Sequence, residues 1–337
     1  MTGGGESIAV VGAGSWGTAL AVHLSRIGHD VRLWGRDGEI VDRIATDREN
    51  PSYLAGVRVP DRITATTDMG AALAAARFVV FAVPSHGLRA VAHEASSAIS
   101  EDAVLVSAAK GIEPDSLKRM SEVLAHETGE ARPIVALSGP TFAAEVAREL
   151  PTVAVAASAD SDAVVRVQEQ FRGSAFRLYG SDDVAGVEIG GAMKNIIAIA
   201  AGVVEGLGLG HNAMAALITR GLAEISRLAA AEGGRRETLA GLSGLGDLVL
   251  TCTGDLSRNR HVGVQLGRGQ SLEEILRGMR MVAEGVRTTG AALALGDRHG
   301  IELPITAQMA AVLDGRTPPR DAVEALMGRR QKHEVDR

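Results

Sequence analysis

The sequence predicts an α/β domain with a doubly wound parallel sheet, followed by a second domain made only of helices. Three observations support this prediction: a glycine-rich turn between a β-branched run and an apolar helix, alternation of strand-like and helix-like segments after it, and helical periodicity alone in the rest of the chain. A length of 337 residues corresponds to about two domains. We place the boundary so that residues 1–183 form the first domain and residues 184–337 form the second.

The glycine-rich turn follows the apolar run 8–11 and precedes the helix-like segment 19–24. It has the pattern G-x-G-x-x-G, with Gly12, Gly14 and Gly17 at the fixed positions. In such a turn the first glycine permits the tight bend, the second lets a pyrophosphate approach the backbone, and the third lets the helix pack on the strand. The helix N-terminus then faces the anion. The pattern therefore predicts a Rossmann-type dinucleotide site at these glycines.

The cofactor preference depends on the end of the second strand, which is predicted over residues 31–34 and is followed by Gly35, Arg36 and Asp37. An acidic residue at this place commonly binds the ribose hydroxyl. A guanidinium can instead stack on adenine and pair with a 2′-phosphate. Because Arg36 comes first, the sequence favours NADP or the use of both cofactors. The alternative is a surface arginine with Asp37 as the ribose-binding acid.

Further strands alternate with helices along the first domain. The strands are predicted over residues 78–83, 104–108, 134–138 and 152–156, and the helices include 88–99 and 116–126. Ligands bind outside the carboxyl ends of such strands. Lys110 follows one strand end, and Gly139 and Thr141 follow the next. We expect Lys110 to be a cation directed at the cleft, the alternative being an exposed loop lysine.

The helical half contains one lysine in an otherwise apolar segment. At helical spacing Gly190, Lys194 and Ala198 share a stripe on which the lysine is the only bulky side chain. Burial of an unpaired ammonium costs free energy. Lys194 is therefore either a functional amine with a partner, or a lysine whose head group reaches water past its small neighbours.

Two polar loops of this half are candidates to complete a site around that lysine. The glycine-rich segment 241–247 ends at Asp247, which is either the partner of Lys194 or the N-cap of a helix. Residues 257–259 supply a hydroxyl, a guanidinium and an amide at a predicted helix start, where free N–H groups favour an anion. The alternative for residues 257–259 is a simple polar cap.

Composition excludes several classes of protein. The net charge of −6 argues against a nucleic-acid binder. Cys252 is the only cysteine, so no intramolecular disulfide can form; it is interpreted as a packing residue, and a cytoplasmic location is expected. Residues 1–7 lack the basic region followed by an apolar core that is typical of a signal peptide, so no signal peptide is expected. The longest apolar run, 196–204, is far below the ~20 residues of a membrane span, so no membrane insertion is expected. No metal site is predicted.

The segment around Lys194 resembles the signature of the bacterial-type NAD(P)-dependent glycerol-3-phosphate dehydrogenases. The matching positions run from Gly191 to Ala198 and continue at Gly202, Glu205, Gly206, Gly210 and Asn212. The blocks that begin at Ser138 and Thr253 are similar to further blocks of this family. The resemblance covers nearly the whole chain. It implies a second domain like the C-terminal domain of 6-phosphogluconate dehydrogenase.

The resemblance also implies a function. The expected reaction is the reversible reduction of dihydroxyacetone phosphate to sn-glycerol 3-phosphate for glycerophospholipid synthesis, with NADP or NAD as cofactor and NADPH favoured. Lys194 is implied as the proton donor or acceptor. The implied substrate-binding residues are Lys110, Gly139, Thr141, Lys194, Asp247, Ser257, Arg258 and Asn259. Besides the three glycines, the implied cofactor-binding residues are Ser15, Trp16, Arg36, Lys110, Ala143, Arg258, Val282 and Glu284.

General chemistry is consistent with these roles. An ammonium near the substrate C2 oxygen stabilises the charge that hydride transfer creates there and supplies the proton. We expect burial, Lys110 and Arg258 to lower the pKa of Lys194, and Asp247 to oppose them. The all-helical second domain is expected to form a homodimer. Two other functions are considered: a dehydrogenase of the same fold acting on a β-hydroxyacid, and a non-catalytic dinucleotide sensor.

Overall fold

A computed structural model of the protein describes residues 5–279, 281–331 and 333. The strands are β1 Ser7–Val11, β2 Asp30–Trp34, β3 Glu49–Asn50, β4 Leu54–Arg58, β5 Ile63–Thr66, β6 Phe78–Phe81, β7 Val104–Ser107, β8 Ile134–Ser138, β9 Thr152–Ala157 and β10 Phe176–Ser181. The helices of the first half are α1 Ser15–Arg26, α2 Gly38–Thr46, α3 Met69–Leu73, α4 Leu88–Ala95, α5 Met120–Thr128, α6 Ala143–Ala147 and α7 Ser161–Phe171. The helices that follow are α8 Val184–Gly206, α9 Gly210–Ala231, α10 Arg236–Leu239, α11 Asp247–Thr253, α12 Arg258–Gly267, α13 Leu272–Arg277, α14 Glu284–His299, α15 Pro304–Leu313 and α16 Pro319–Met327.

Eight strands form one sheet in the order β10-β9-β8-β7-β6-β1-β2-β5, and β3 and β4 form a separate hairpin. The two edge strands β5 and β10 were not predicted from the sequence. The prediction of a wholly parallel sheet is wrong at one place, because β8 and β9 pair antiparallel. Only the five-residue helix α6 lies between them. The connection 139–151 contains no helix long enough to run back along the strand, and the chain re-enters the sheet from the end at which it left.

Both faces of the sheet are covered, because alternate residues of each strand point to opposite sides. In β1, Ile8 and Val10 pack in a core with α1 and α7, whereas Ala9 and Val11 pack in a second core with α4 and α5. This is the doubly wound arrangement. In the described residues after β10, every element is helical. The predicted fold class, an α/β domain followed by an all-α domain, is confirmed apart from the one reversed strand pair.

Helix α8 is the centre of the helical half. It is apolar and long enough to cross a membrane by length and composition, but its apolar window is entirely buried inside the protein, which identifies it as a core helix. Helix α12 crosses it with backbone against backbone. A Cβ atom at Gly202 would lie 2.1 Å from the carbonyl oxygen of Arg260, and one at Gly263 would lie 1.9 Å from that of Ile199. The crossing therefore depends on glycine.

One buried carboxylate fixes α8 to the sheet domain. Glu188 accepts hydrogen bonds from the backbone N–H of Ser121 at 2.8 Å, from its hydroxyl at 2.5 Å, and from Nη1 of Arg119 at 3.0 Å. Arg119 and Ser121 lie at the start of α5. Because a hydrogen bond from a charged guanidinium is a strong one, the contact with Arg119 holds α8 in a defined position against the sheet domain.

Candidate active site

The glycine-rich turn has the geometry that a dinucleotide requires. Gly12 has a φ of +121°, and a Cβ atom there would lie 2.6 Å from the carbonyl oxygen of Ala82. A Cβ atom at Gly17 would lie 1.8 Å from the carbonyl oxygen of Gly12, so both positions exclude other residues. Gly14 differs, because a Cβ atom there would meet nothing within 4 Å. That open space lies at the N-terminus of α1, where a pyrophosphate could approach the backbone.

Neighbouring segments brace this turn. The side chain of Asn50, in β3, donates to the carbonyl oxygen of Ala13 at 2.9 Å and to the hydroxyl of Thr18 at 2.8 Å. The hydroxyl of Ser15 lies 2.6 Å from the carbonyl oxygen of Tyr53 and 3.1 Å from the sulfur of Met281. The segment that leads into α14 therefore crosses over the start of α1.

Strand β2 ends at Trp34, as the sequence predicts. The two candidate cofactor-binding side chains that follow it, Arg36 and Asp37, differ in whether they already have a partner among the described residues. The side chain of Asp37 is the N-cap of α2 and accepts from the backbone N–H of Glu39 at 3.0 Å and of Ile40 at 3.4 Å. Arg36 is exposed beside it. An N-cap carboxylate already has a structural function, which leaves Arg36 as the side chain at this strand end that is available to a cofactor.

Lys194 lies in the middle of α8 and its side chain is almost fully buried. The residue is 7% exposed. Its Nζ donates to Oδ1 of Asp247 at 2.6 Å and to Oγ1 of Thr251 at 2.7 Å. An ammonium has three N–H donors, and these two partners leave one for a ligand. The pairing of Lys194 with Asp247 that the sequence predicted is present, and the alternative of a lysine that snorkels to solvent is wrong.

A second lysine binds the same carboxylate. Lys110, at the end of β7, donates to Oδ2 of Asp247 at 2.6 Å and to the carbonyl oxygen of Gly139 at 2.9 Å. Gly139 follows β8, and the hydroxyl of Thr141 donates to the same carbonyl oxygen at 3.1 Å. Lys110 is therefore not an exposed loop lysine. Two ammonium groups on one carboxylate give this group of residues a net positive charge.

Local helix geometry explains the position of the carboxylate. A π-helical turn over Leu242–Gly246 precedes α11, and Asp247 is the first residue of that helix and not its N-cap. The side chain of Asp247 is fully buried. Asp247 and Thr251 are four residues apart, so they share one face of α11 and both point at Lys194. π-helical turns of this kind occur frequently at functional sites.

Burial changes the protonation of the central amine. It lowers the pKa of Lys194 to about 8, against the opposing charge of Asp247, and the charge of Lys110 lowers it further. Arg258, which was also expected to lower this pKa, is not among the main causes of the shift. Burial also raises the pKa of the neighbouring Cys252 thiol to about 12. A protonated buried thiol is inert, in agreement with the interpretation of Cys252 as a packing residue.

Residues 257–259 form the start of α12. The hydroxyl of Ser257 is the N-cap and accepts from the backbone N–H of Arg260 at 3.2 Å. Arg258 is exposed, so its guanidinium is accessible to a ligand. Asn259 is 7% exposed, and its amide is bound on both sides within the protein. The first turn of a helix has free N–H groups and a positive partial charge, which suit a phosphate.

The remaining predicted cofactor residues lie in the glycine-rich turn, at the start of α6 and at the start of α14. Trp16 packs partly buried against the core of the sheet domain, and Ala143 is the first residue of α6 on the same core. Val282 is half-buried just before α14. Glu284 begins α14, and its carboxylate accepts from the backbone N–H of Ser85 at 3.1 Å and from the hydroxyl of Ser85 at 2.6 Å. It thereby joins the helical half to the end of β6.

The structure adds three polar residues that sequence reasoning missed. Thr251 bonds Lys194, and its spacing of four from Asp247 on one helix is a signal that could have found it. Asn195 follows Lys194 and accepts from the side chain of Asn259 at 2.9 Å. Ser85 bonds Glu284 across a separation of 199 residues, which no local pattern indicates.

Comparison with known proteins agrees with this geometry. Residues 7–164 match the family model described as the N-terminus of NAD-dependent glycerol-3-phosphate dehydrogenase, and residues 183–324 match the model of its C-terminus. A glycerol-3-phosphate dehydrogenase [NAD(P)+] from Syntrophotalea carbinolica is 52% identical over 332 residues, covering 98% of this chain and 100% of that protein. The enzyme of the same name from Bacillus cereus is 49% identical and covers 98% and 97%.

Solved structures give the same result. The crystal structure of glycerol-3-phosphate dehydrogenase from Coxiella burnetii has a TM-score of 0.93 and 41% identity, covering 96% of this chain and 99% of that one. A ketopantoate reductase from Ralstonia eutropha, at 18% identity and a TM-score of 0.60, shares the fold alone. The chain belongs to the family of NAD(P)+-dependent glycerol-3-phosphate dehydrogenases, oxidoreductases that interconvert dihydroxyacetone phosphate and glycerol 3-phosphate.

Proposed function

We propose that this chain carries out the reaction of its family with Lys194 as the acid and base. The observation that supports this role is the third N–H of a buried ammonium whose other two donors are bound to Asp247 and Thr251. A nicotinamide held at the turn of Gly12, Gly14 and Gly17 would supply or accept the hydride at the substrate C2 carbon. During reduction Lys194 donates its proton to the C2 oxygen as negative charge develops there. During oxidation the neutral amine takes that proton from the hydroxyl.

Asp247 and Lys110 prepare this amine without reacting themselves. Asp247 fixes the direction of Nζ of Lys194, since both of its oxygens are bound to lysines. The net positive charge of the three groups stabilises an oxyanion at C2, because charges are poorly screened in a buried site. Lys110, Gly139 and Thr141 lie together on the other side of the carboxylate, and we assign them to the substrate as well.

The start of α12 is our candidate for the phosphate of the substrate. The Ser257 cap, the accessible guanidinium of Arg258 and the free first-turn N–H groups together form an anion site. A small substrate held through its non-reacting end is positioned at the reacting end. Asn259 completes the set, although its amide also has protein partners.

NADP is our preferred cofactor, with NAD as the second. The support is the exposed Arg36 beside an N-capping Asp37, since a guanidinium suits a 2′-phosphate. The turn with Gly12, Gly14 and Gly17 fits the pyrophosphate of either cofactor. We assign the further cofactor contacts to Ser15, Trp16, Lys110, Ala143, Arg258, Val282 and Glu284.

The wider role proposed is the supply of sn-glycerol 3-phosphate for glycerophospholipid synthesis in the cytoplasm, by a homodimer. The domain division at 183/184 is proposed from the end of β10 at Ser181 and the start of α8 at Val184.

One steady-state assay tests the activity: purified protein is given dihydroxyacetone phosphate with NADPH or with NADH. Faster oxidation of NADPH is expected. Turnover of β-hydroxyacids without turnover of the phosphate ester would favour the β-hydroxyacid dehydrogenase, and cofactor binding without turnover would favour a sensor.

A further inference from the structure

Asn259 connects the proposed phosphate site to the start of another helix. Its Nδ2 donates to Oδ1 of Asn195 at 2.9 Å, and its Oδ1 accepts from the backbone N–H of Gly285 at 2.9 Å. Asn195 and Asn259 are both almost fully buried. These bonds use both ends of the Asn259 amide, so the side chain cannot move to meet a ligand without disturbing a neighbour.

The bond to Gly285 acts as a helix cap supplied by another helix. Ala283 is the N-cap residue of α14 and makes no side-chain capping bond. The second residue of that helix, Gly285, receives its cap from Asn259 in α12 instead. Space at this position is tight, because a Cβ atom on Gly285 would lie 2.6 Å from the carbonyl oxygen of Asn195 and 2.9 Å from Oδ1 of Asn259. The position of α14 is thus set by residues 195 and 259.

The next contact crosses to the nucleotide domain. Glu284 is the first residue of α14, and its two carboxylate oxygens bind the backbone N–H and the hydroxyl of Ser85. Ser85 begins the 3-10 turn that comes after residues 82–84 at the end of β6, the strand adjacent to β1 and its glycine-rich turn. Just ahead of α14, Met281 contacts the hydroxyl of Ser15 at the start of α1. One continuous series of contacts therefore joins the start of α12 to both strand ends that face the dinucleotide.

We infer that Asn259, Gly285, Glu284 and Ser85 form a relay that couples binding of the substrate phosphate at the start of α12 to binding of the dinucleotide at the ends of β1 and β6. This inference rests on the proposed assignment of the phosphate to residues 257–259. Because both ends of the Asn259 amide are already bound, a phosphate that shifts the first turn of α12 must also shift Gly285 in α14, and with it the contact of Glu284 with Ser85. Such coupling must be reciprocal, since each ligand changes the affinity for the other by the same factor.

The test measures the dissociation constant of NADPH by its fluorescence, with and without sn-glycerol 3-phosphate. Both ligands are in their reduced forms, so no hydride can be transferred during the measurement. For the unaltered protein we expect sn-glycerol 3-phosphate to tighten NADPH binding by about fivefold or more, within the usual range of coupling between sites. Thermal unfolding of every variant confirms that it is folded.

Ser85→Ala removes the hydroxyl that binds Glu284, at the end of the relay distant from the phosphate. The coupling factor is the ratio of the NADPH dissociation constants measured without and with sn-glycerol 3-phosphate. It is expected to fall to about one, while the affinity for sn-glycerol 3-phosphate in the absence of nucleotide is unchanged. Glu284→Ala should have the same effect. Glu284→Gln should retain coupling, because its amide can accept from the N–H of Ser85 and donate to its hydroxyl. Ser25→Ala is the matched control, a buried serine whose hydroxyl has no partner among the described residues.

Three outcomes are decisive. Loss of coupling in Ser85→Ala and Glu284→Ala, with coupling kept in Glu284→Gln and Ser25→Ala, supports the relay. Normal coupling in Ser85→Ala or Glu284→Ala, or no coupling in the unaltered protein, overturns it. A wrong assignment of the phosphate to residues 257–259 would give a different result. In that case Arg258→Ala would bind sn-glycerol 3-phosphate as tightly as the unaltered protein does in the absence of nucleotide.

Discussion

The Nζ atoms of Lys110 and Lys194 each lie 2.6 Å from a different oxygen of one carboxylate, that of Asp247. The two lysines come from different domains, one from the end of β7 and the other from the middle of α8. Their shared partner means that the candidate active site is formed only when the sheet domain and the helical half pack together. Because the carboxylate is fully buried and both lysines are largely so, the arrangement controls both the position and the charge of Lys194, the amine that we propose as acid and base.

Replacement of Lys194 by alanine should remove turnover and spare cofactor binding. Loss of a positioned acid or base lowers the rate by about 10²- to 10⁴-fold. Steady-state kinetics with dihydroxyacetone phosphate measure the loss, and NADPH fluorescence measures binding. Lys118→Ala, a half-buried lysine in the loop before α5, is the control and should keep full activity. Normal turnover of the Lys194 variant would exclude this lysine as the catalytic group.

The two reaction directions should have opposite pH dependences. Burial brings the pKa of Lys194 to about 8, so the ammonium needed for reduction is present below pH 8 and the neutral amine needed for oxidation is present above it. Reduction should therefore fall and oxidation should rise as the pH passes about 8. Profiles of kcat against pH in both directions check this expectation, and parallel profiles would contradict it.

Asp247→Asn should shift these profiles toward lower pH. The charge of Asp247 raises the pKa of Lys194, so its removal leaves burial and Lys110 to lower that pKa further. The same pH profiles measure the shift. Asp255→Asn, an acidic residue with a 94% exposed side chain on the same stretch of chain, should leave the midpoint in place. A shift to higher pH in Asp247→Asn would show that the carboxylate does not act on the amine through its charge.

Arg258→Ala should weaken the binding of phosphorylated substrate. A hydrogen-bonded charge pair contributes about 1.5–3 kcal/mol, so KM for dihydroxyacetone phosphate should rise by roughly 10- to 100-fold. Arg268→Ala, an exposed arginine after the other end of α12, should leave KM unchanged. An unaltered KM in Arg258→Ala would favour the β-hydroxyacid dehydrogenase, which has no phosphate to bind.

Arg36→Ala should reduce the preference for NADPH over NADH. Because a 2′-phosphate is the only difference between the two cofactors, KM for NADPH should rise by about tenfold while KM for NADH changes little. Arg43→Ala, an exposed arginine on α2, is the control. Asp37→Ala should instead destabilise α2 by about 0.5–2 kcal/mol through loss of its N-cap. Equal effects on both cofactors in Arg36→Ala would point to adenine stacking alone.

Gly263→Ala should destabilise the helical half. The new Cβ atom would lie 1.9 Å from the carbonyl oxygen of Ile199, so α12 must move away from α8 at a cost of at least about 2 kcal/mol. Gly290→Ala is the contrasting variant, because this exposed glycine of α14 has nothing within 4 Å of a new Cβ atom. It should stabilise the protein by about 0.5–1 kcal/mol. Urea unfolding measures both, and similar midpoints for the two variants would contradict the close crossing.

The sequence alone was sufficient where structure depends on local spacing. Gly12, Gly14 and Gly17 lie within one turn, so their pattern specified the strand, the bend and the helix that follows. Lys194 was singled out because its neighbours on one helix face are too small to hide it. Residues 257–259 were placed at a helix start for a similar reason, since a capping serine is a local signal.

Other features depended on chain segments far apart in sequence, and only the tertiary structure decided them. The antiparallel pairing of β8 with β9 depends on how the connection 139–151 folds, and the edge strands had no distinct pattern of their own. Lys110 and Asp247 are 137 residues apart, and Ser85 and Glu284 are 199 residues apart. Residue spacing determines which side chains share a face of one helix or strand, whereas packing between elements determines which faces meet. The identity of the amine was therefore encoded locally, and its lowered pKa and its partners were set by burial between the two domains.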